Sequence, residues 1–111
     1  MSTPVVTPKT TPGMGTGTSH EEHRVPLYHV ILLDDSDHTY DYVVEMLGAL
    51  FFLGAEAAYQ HAVEVDRTGR TIVITCELPQ AEFARDQIHG YGADPRMPKS
   101  KGSMSAVIQP A

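Results

Sequence analysis

The run LYHVILL, Leu27 to Leu33, passes without any spacer into Asp34-Asp35-Ser36-Asp37, and this junction limits the possible folds more than any other feature. Seven residues rich in β-branched and apolar types make a strand, and a cluster of Asp and Ser marks the loop that stops it. So apolar a strand is expected to be central or half-buried, and the rest of the chain must supply both its neighbours and a layer to cover it. The loop behind it gathers carboxylate and carbonyl oxygens that could hold a cation, a metal or nothing.

The cover is readable downstream. Thr39 suits an N-cap, Asp41 suits the first turn, and Val43, Met46, Leu47 and Leu50 recur at spacings of three and four, which predicts a helix from about 40 to 51. Gly54 ends or kinks that pattern and opens a second helix whose face is Ala55, Ala58, Tyr59, Ala62 and Val65, ending near Asp66. Gly69 fits a turn that wants positive φ, and the β-branched run Thr71 to Glu77 predicts a second strand. Pro79 suits the first turn of a third helix with Phe83, Ala84, Ile88 and Tyr91 on its apolar side, stopped by Gly90 or Gly92. A basic, proline-punctuated loop over 93–102 then leads to a third strand over 103–109. The order β-α-α-β-α-β implies an α+β fold, a small three-stranded sheet packed against three helices on one side. Val43, Val65, Phe83 and Ile88 are the expected core.

A length of 111 residues fits one domain. Residues 1–25 hold three prolines and alternating Gly13, Gly15 and Gly17 with little to bury, so they read as a disordered arm ahead of a domain over 26–111. The longest apolar stretch, MLGALFFLGA, falls well short of the roughly 20 residues that cross a bilayer, and the N-terminus lacks the apolar centre of a signal peptide. Cys76 is the only cysteine, which excludes an internal disulfide and fits a cytoplasmic setting. A net charge of −6 argues against nucleic acid as a partner, since only Arg96, Lys99 and Lys101 cluster.

Chemistry-bearing motifs are few. Asp34, Asp35 and Asp37 could be ordinary turn and cap residues, which aspartate favours for its local hydrogen bonds. The same loop offers alternating acceptors to calcium, but lacks the glycine and distal glutamate of an EF-hand. HEEH, His20 to His23, has ligand-type residues without a second set to complete a site, and His29 and His61 read as surface or half-buried histidines. No phosphate loop, nucleophile elbow, Cys-His pair or cofactor cradle is present, so no cofactor is implied and an enzyme is disfavoured.

The segment VILLDDSDHTYDYVVEML, Val30 to Leu47, resembles the signature of the ClpS adaptor family. There a strand ends in Leu-Asn-Asp-Asp and leads through Thr or His and Met or Thr into a helix with Val-Val and a later Leu. The similarity continues to VDRTGR, where the family reads Val-His, two variable residues, Gly and Lys or Arg. It implies a non-enzymatic adaptor that binds the free N-terminal residue of N-degron substrates and delivers them to a ClpA- or ClpC-type AAA+ unfoldase working with ClpP.

Carried over by position, the resemblance implies amine binding by Asp34, which stands for the family's Asn, by Asp35, which matches, and by Asp66, which stands for its His. It implies a side-chain pocket of Tyr40, Val43, Ala62 and Val65, with Tyr40 and Ala62 replacing residues that are often Met. Glu77 matches an unfoldase contact, whereas Glu82 takes the place of a lysine. The arm corresponds to an extension that takes part in delivery. Three carboxylates around one hollow are expected to repel and raise the pKa of at least one. The alternative is a divergent module of the same fold whose acidic loop meets another protein or a metal ion.

Overall fold

The structure, a computed structural model, describes residues 25–111. The expected arm, apart from Val25, and the HEEH motif lie outside the described residues. The elements follow the order β-α-α-β-α-β as β1 (Leu27–Leu33), α1 (Tyr40–Phe51), α2 (Ala55–Thr68), β2 (Arg70–Glu77), α3 (Leu78–His89) and β3 (Ala106–Pro110). The strands form one antiparallel sheet, β2-β1-β3, with the apolar β1 in the middle.

One face of the sheet carries the helices. Val30 and Leu32 of β1, Val73 of β2 and Ala106 of β3 pack with Met46, Leu47, Ala62, Val65 and Ile88 in a single buried cluster. A bulge lets β2 follow this face. Val30 pairs with Ile74 and Ile31 with Ile72, leaving Val73 as the extra residue, and both Val73 and Ile74 pack on the core. On the opposite face Ile31 is 1% exposed although its flanking partners Ile72 and Val107 are each 42% exposed. Arg70 Nη2 donates to Gln109 Oε1 at 2.8 Å, a bond that runs from β2 to β3 across the central strand between the positions of Leu33 and His29.

Helix α1 begins as its sequence predicts, with Thr39 Oγ1 accepting from the Tyr42 amide at 3.1 Å. It ends at Phe51, as expected, through Phe52, a left-handed residue with φ 58° that is 89% exposed, and Gly54 then caps the start of α2. Helix α2 runs two residues beyond Asp66 and is capped by Gly69 at φ 89°. Only Ala58, Ala62 and Val65 of its expected face are buried, while Ala55 and Tyr59 face solvent.

Helix α3 corrects the expected core. Its inner face is Ala81, Ala84 and Ile88, at spacings of three and four, and Phe83 is 64% exposed. Phe83 precedes Ala84 by one residue, about 100° of rotation, so the small alanines face the sheet and the large ring is turned away. Tyr91 lies past the helix end, half-exposed, its ring edge-on to Tyr42 at 5.5 Å. The third strand starts at Ala106 rather than Ser103, because the Ser103 hydroxyl is bonded to the Gly92 amide at 2.6 Å and holds that segment in the preceding loop. Among the described residues no helix is long and apolar enough to cross a membrane.

Candidate functional site

Two backbone bonds position the acidic loop at the end of β1. The Leu33 amide donates to Ser105 O at 2.9 Å on one flank, and the Asp34 amide donates to Gly69 O at 3.0 Å on the other. The second bond brings the C-terminal turn of α2, with Asp66, beside Asp34. Helix α1 starts six residues after Asp34 and carries Tyr40 and Val43 to the same place.

The result is a shallow hollow of about 280 Å³, including the part open to solvent. All seven residues implied by position line it: Asp34, Asp35 and Asp66 contribute carboxylates, and Tyr40, Val43, Ala62 and Val65 contribute rings and methyl groups. His38, Thr39 and Met104 also line it and were not anticipated. Met104 had a signal, since it shares a period-two face with Ala106 and Ile108, both packed on the core. His38 and Thr39 had none beyond the N-cap, because their decisive partners lie more than 50 residues away.

Each carboxylate has a distinct environment. Asp66 Oδ2 accepts a 2.5 Å bond from the Tyr40 hydroxyl, which raises the Tyr40 pKa above its ordinary value. Asp35 Oδ1 accepts from the Asp37 amide at 2.9 Å and lies 2.7 Å from His38 Nδ1, with Oδ2 at 3.0 Å. The other ring nitrogen of His38 is 2.7 Å from Gly102 O, an atom that can only accept, so Nε2–H donates there. Asp34 has a pKa raised above the usual carboxylate range, first by burial and then by repulsion from Asp66 and Asp35, although a hydrogen bond from the Asp35 amide opposes the rise. This is the behaviour expected of crowded acids.

The loop between α3 and β3 closes one side, and Asp94 ties it down. This aspartate is 1% exposed, and its Oδ2 accepts from the Thr39 amide and hydroxyl at 2.7 and 2.8 Å while Oδ1 accepts from the Arg96 amide at 2.9 Å. Burial alone would lift its pKa, but these bonds and the Arg96 guanidinium at 3.3 Å outweigh burial and bring it to about 2. A wider open trough of about 540 Å³ runs along the outside of α2 beside Gln60, His61 and Glu64. There Thr71 Oγ1 lies 2.8 Å from His61 Nδ1 and donates to Glu64, so these groups staple α2 to β2.

Elsewhere, Glu77 stands exposed at the start of α3 without making a side-chain cap bond, and Glu82 is exposed on the same helix. Among the described residues no group of three or more His, Cys, Asp or Glu side chains is gathered as a metal site requires.

Comparison with solved structures finds Agrobacterium tumefaciens ClpS2 bound to L-phenylalaninamide, which superposes with a TM-score of 0.68 at 23% identity and covers 79% of this chain and all of that one. The likeness establishes a shared fold. No curated protein sequence gives a significant match. A family model described as ATP-dependent Clp protease adaptor protein ClpS matches residues 23–98, well over half of the chain and inclusive of every residue of the hollow except Met104. The chain therefore belongs to the ClpS family of Clp protease adaptors.

Proposed function

We propose that the hollow receives the free N-terminal residue of a substrate polypeptide, and that the protein passes this N-degron substrate to a ClpA- or ClpC-type AAA+ unfoldase working with ClpP in the cytoplasm. It does so as a non-enzymatic adaptor. The observation that carries the reading is the mixed lining: the acids Asp34, Asp35 and Asp66 and the apolar residues Val43, Ala62 and Val65 border the same small hollow. An N-terminal residue has the complementary chemistry, an ammonium with three N–H donors beside a side chain. Each charge-assisted bond to that ammonium is worth roughly 1.5 to 3 kcal/mol. L-phenylalaninamide, the compound bound to the Agrobacterium ClpS2, likewise has a free α-amino group next to an apolar ring. Glu77 and the neighbouring exposed face of α3 are the proposed unfoldase contact.

Calorimetry with peptides that differ only in whether the N-terminus is free or acetylated tests the reading. The free form binds and the acetylated form does not, and Asp35→Ala removes binding of the free form while the circular dichroism of the folded state persists. Equal affinity for the two forms would sink it.

A further inference from the structure

The chain carries a net charge of −6, yet three cations fall within six residues of one another in the loop after α3: Arg96, Lys99 and Lys101. The structure gives them separate roles. The Arg96 guanidinium is spent internally, on Asp94 at 3.3 Å, on Glu45, and on Asp41 at 3.9 Å. The two lysines face solvent, Lys99 in a long ion pair with Asp37. The Lys99 side chain is 62% exposed, with Asp37 at 3.9 Å as its nearest acid, and the exposed Lys101 has no ion-pair partner among the described residues.

Their placement relative to the hollow is fixed by the residues between and after them. Ser100 Oγ is 3.3 Å from His38 Nε2 and Gly102 O is 2.7 Å from the same atom, so the segment carrying both lysines is pinned to a residue that lines the hollow. The loop is held from behind as well: the Asp94 amide donates to Ser100 Oγ at 2.9 Å, and the Ser100 amide to Met97 O at 3.0 Å. At the end of α2, exposed Arg67 follows Asp66 directly and is near enough for its charge to act on the Tyr40 hydroxyl. The aspartates of the hollow thus have cations beyond them on two sides.

The geometry points to an acidic well inside a basic collar, in which Lys99, Lys101 and Arg67 select substrates that carry Asp or Glu at the second to fourth positions. This rests on the amine-binding reading above. A polypeptide whose ammonium is held by Asp34, Asp35 and Asp66 must lead away across the rim, advancing at most about 3.3 to 3.6 Å per residue. Lys99 lies one side-chain contact beyond Asp37, whose amide is 2.9 Å from the Asp35 carboxylate, so its ammonium is within reach of the next few residues. Opposite charges placed there gain attraction, and like charges are turned away during approach.

Fluorescence anisotropy on the full chain tests the collar with three peptides that share the tightest-binding first residue and carry Glu, Gln or Lys at positions two to four, each free and acetylated. The Glu peptide is expected to bind about three- to tenfold more tightly than the Lys peptide, as a few exposed ion pairs allow. The gap narrows as salt is raised toward roughly 1 M. The double variant Lys99→Glu, Lys101→Glu reverses the order, and both positions are exposed enough to leave folding intact. If free peptides bind and acetylated ones do not, but the three sequences rank equally or in the opposite order, the collar is wrong and the amine site stands. If free and acetylated peptides behave alike, the amine site fails and the collar fails with it.

Discussion

The hydroxyl of Tyr40, the first residue of α1, donates to the carboxylate of Asp66, in the last turns of α2, at 2.5 Å. One of the oxygens assigned to a substrate amine is thereby already occupied by a group of the protein itself. The Tyr40 ring is steadied edge-on by Tyr59 at 5.7 Å.

Tyr40→Phe is expected to tighten binding of free-amine peptides. The change keeps the ring and removes the hydroxyl that competes with a substrate ammonium for Asp66 Oδ2, and the gain expected from losing one exposed hydrogen bond is a few-fold, up to about tenfold. Calorimetry reads this directly. A weaker affinity would instead make the hydroxyl a support that orients Asp66.

Amine binding should fade on the acid side of neutrality earlier than ordinary aspartates would dictate. Asp34 has a raised pKa, so it takes up its proton at a higher pH than usual, and a protonated carboxyl no longer attracts an ammonium. Affinity measured from pH 7 down to pH 4 is expected to decline across that range, and Asp34→Asn should remove the earliest part of the decline. A profile flat down to pH 4 in the unaltered protein would contradict the assignment.

The opposite sign holds for Asp94. Its pKa of about 2 lies below the ordinary 3.8, so it contributes stability at neutral pH that is fully present above about pH 4 and is lost as pH falls toward 2. The shift corresponds to about 2 kcal/mol. Asp94→Asn should lower the urea midpoint at pH 7 and flatten the dependence of stability on pH between 4 and 2, because the unfolded chain no longer has a carboxylate at this position that takes up a proton before the native state does. A midpoint at pH 7 unchanged by the substitution would mean that Asp94 does not secure the loop.

Phe52→Gly is expected to stabilise the domain. Phe52 has φ 58° and is 89% exposed, so the residue carries the cost of a left-handed backbone with little burial to offset it. Relief of about 1 kcal/mol would raise the melting temperature by roughly 4 to 8 °C in a domain of this size. Differential scanning calorimetry checks it, and a lower melting temperature would show that the ring makes contacts of value.

Much of the fold was legible because its signals are local. The start of α1 is written in Thr39 and Asp41, and β1 in a run of apolar residues bounded by aspartates, and both elements fall where those signals put them. The errors arose where a choice between residues depended on tertiary packing. On α3 the apolar count favoured Phe83, yet close approach to the sheet selects Ala81 and Ala84. At the hollow, the seven implied residues came from family resemblance and could not have come from spacing, since Asp35 and Asp66 are 31 positions apart in the chain. His38 carries no such signal for a related reason: its bond to Gly102 spans 64 residues, and nothing in the sequence near either one announces the other.

The two amide bonds that flank the end of β1, from Leu33 to Ser105 and from Asp34 to Gly69, have a bearing on how tightly anything can be held there. They suspend the acidic loop from the central strand of the sheet, which is paired along both edges. A visitor would find the acceptors of Asp34 and Asp35 already held in place. Little freedom remains to be surrendered on arrival, and more of the contact energy survives as affinity.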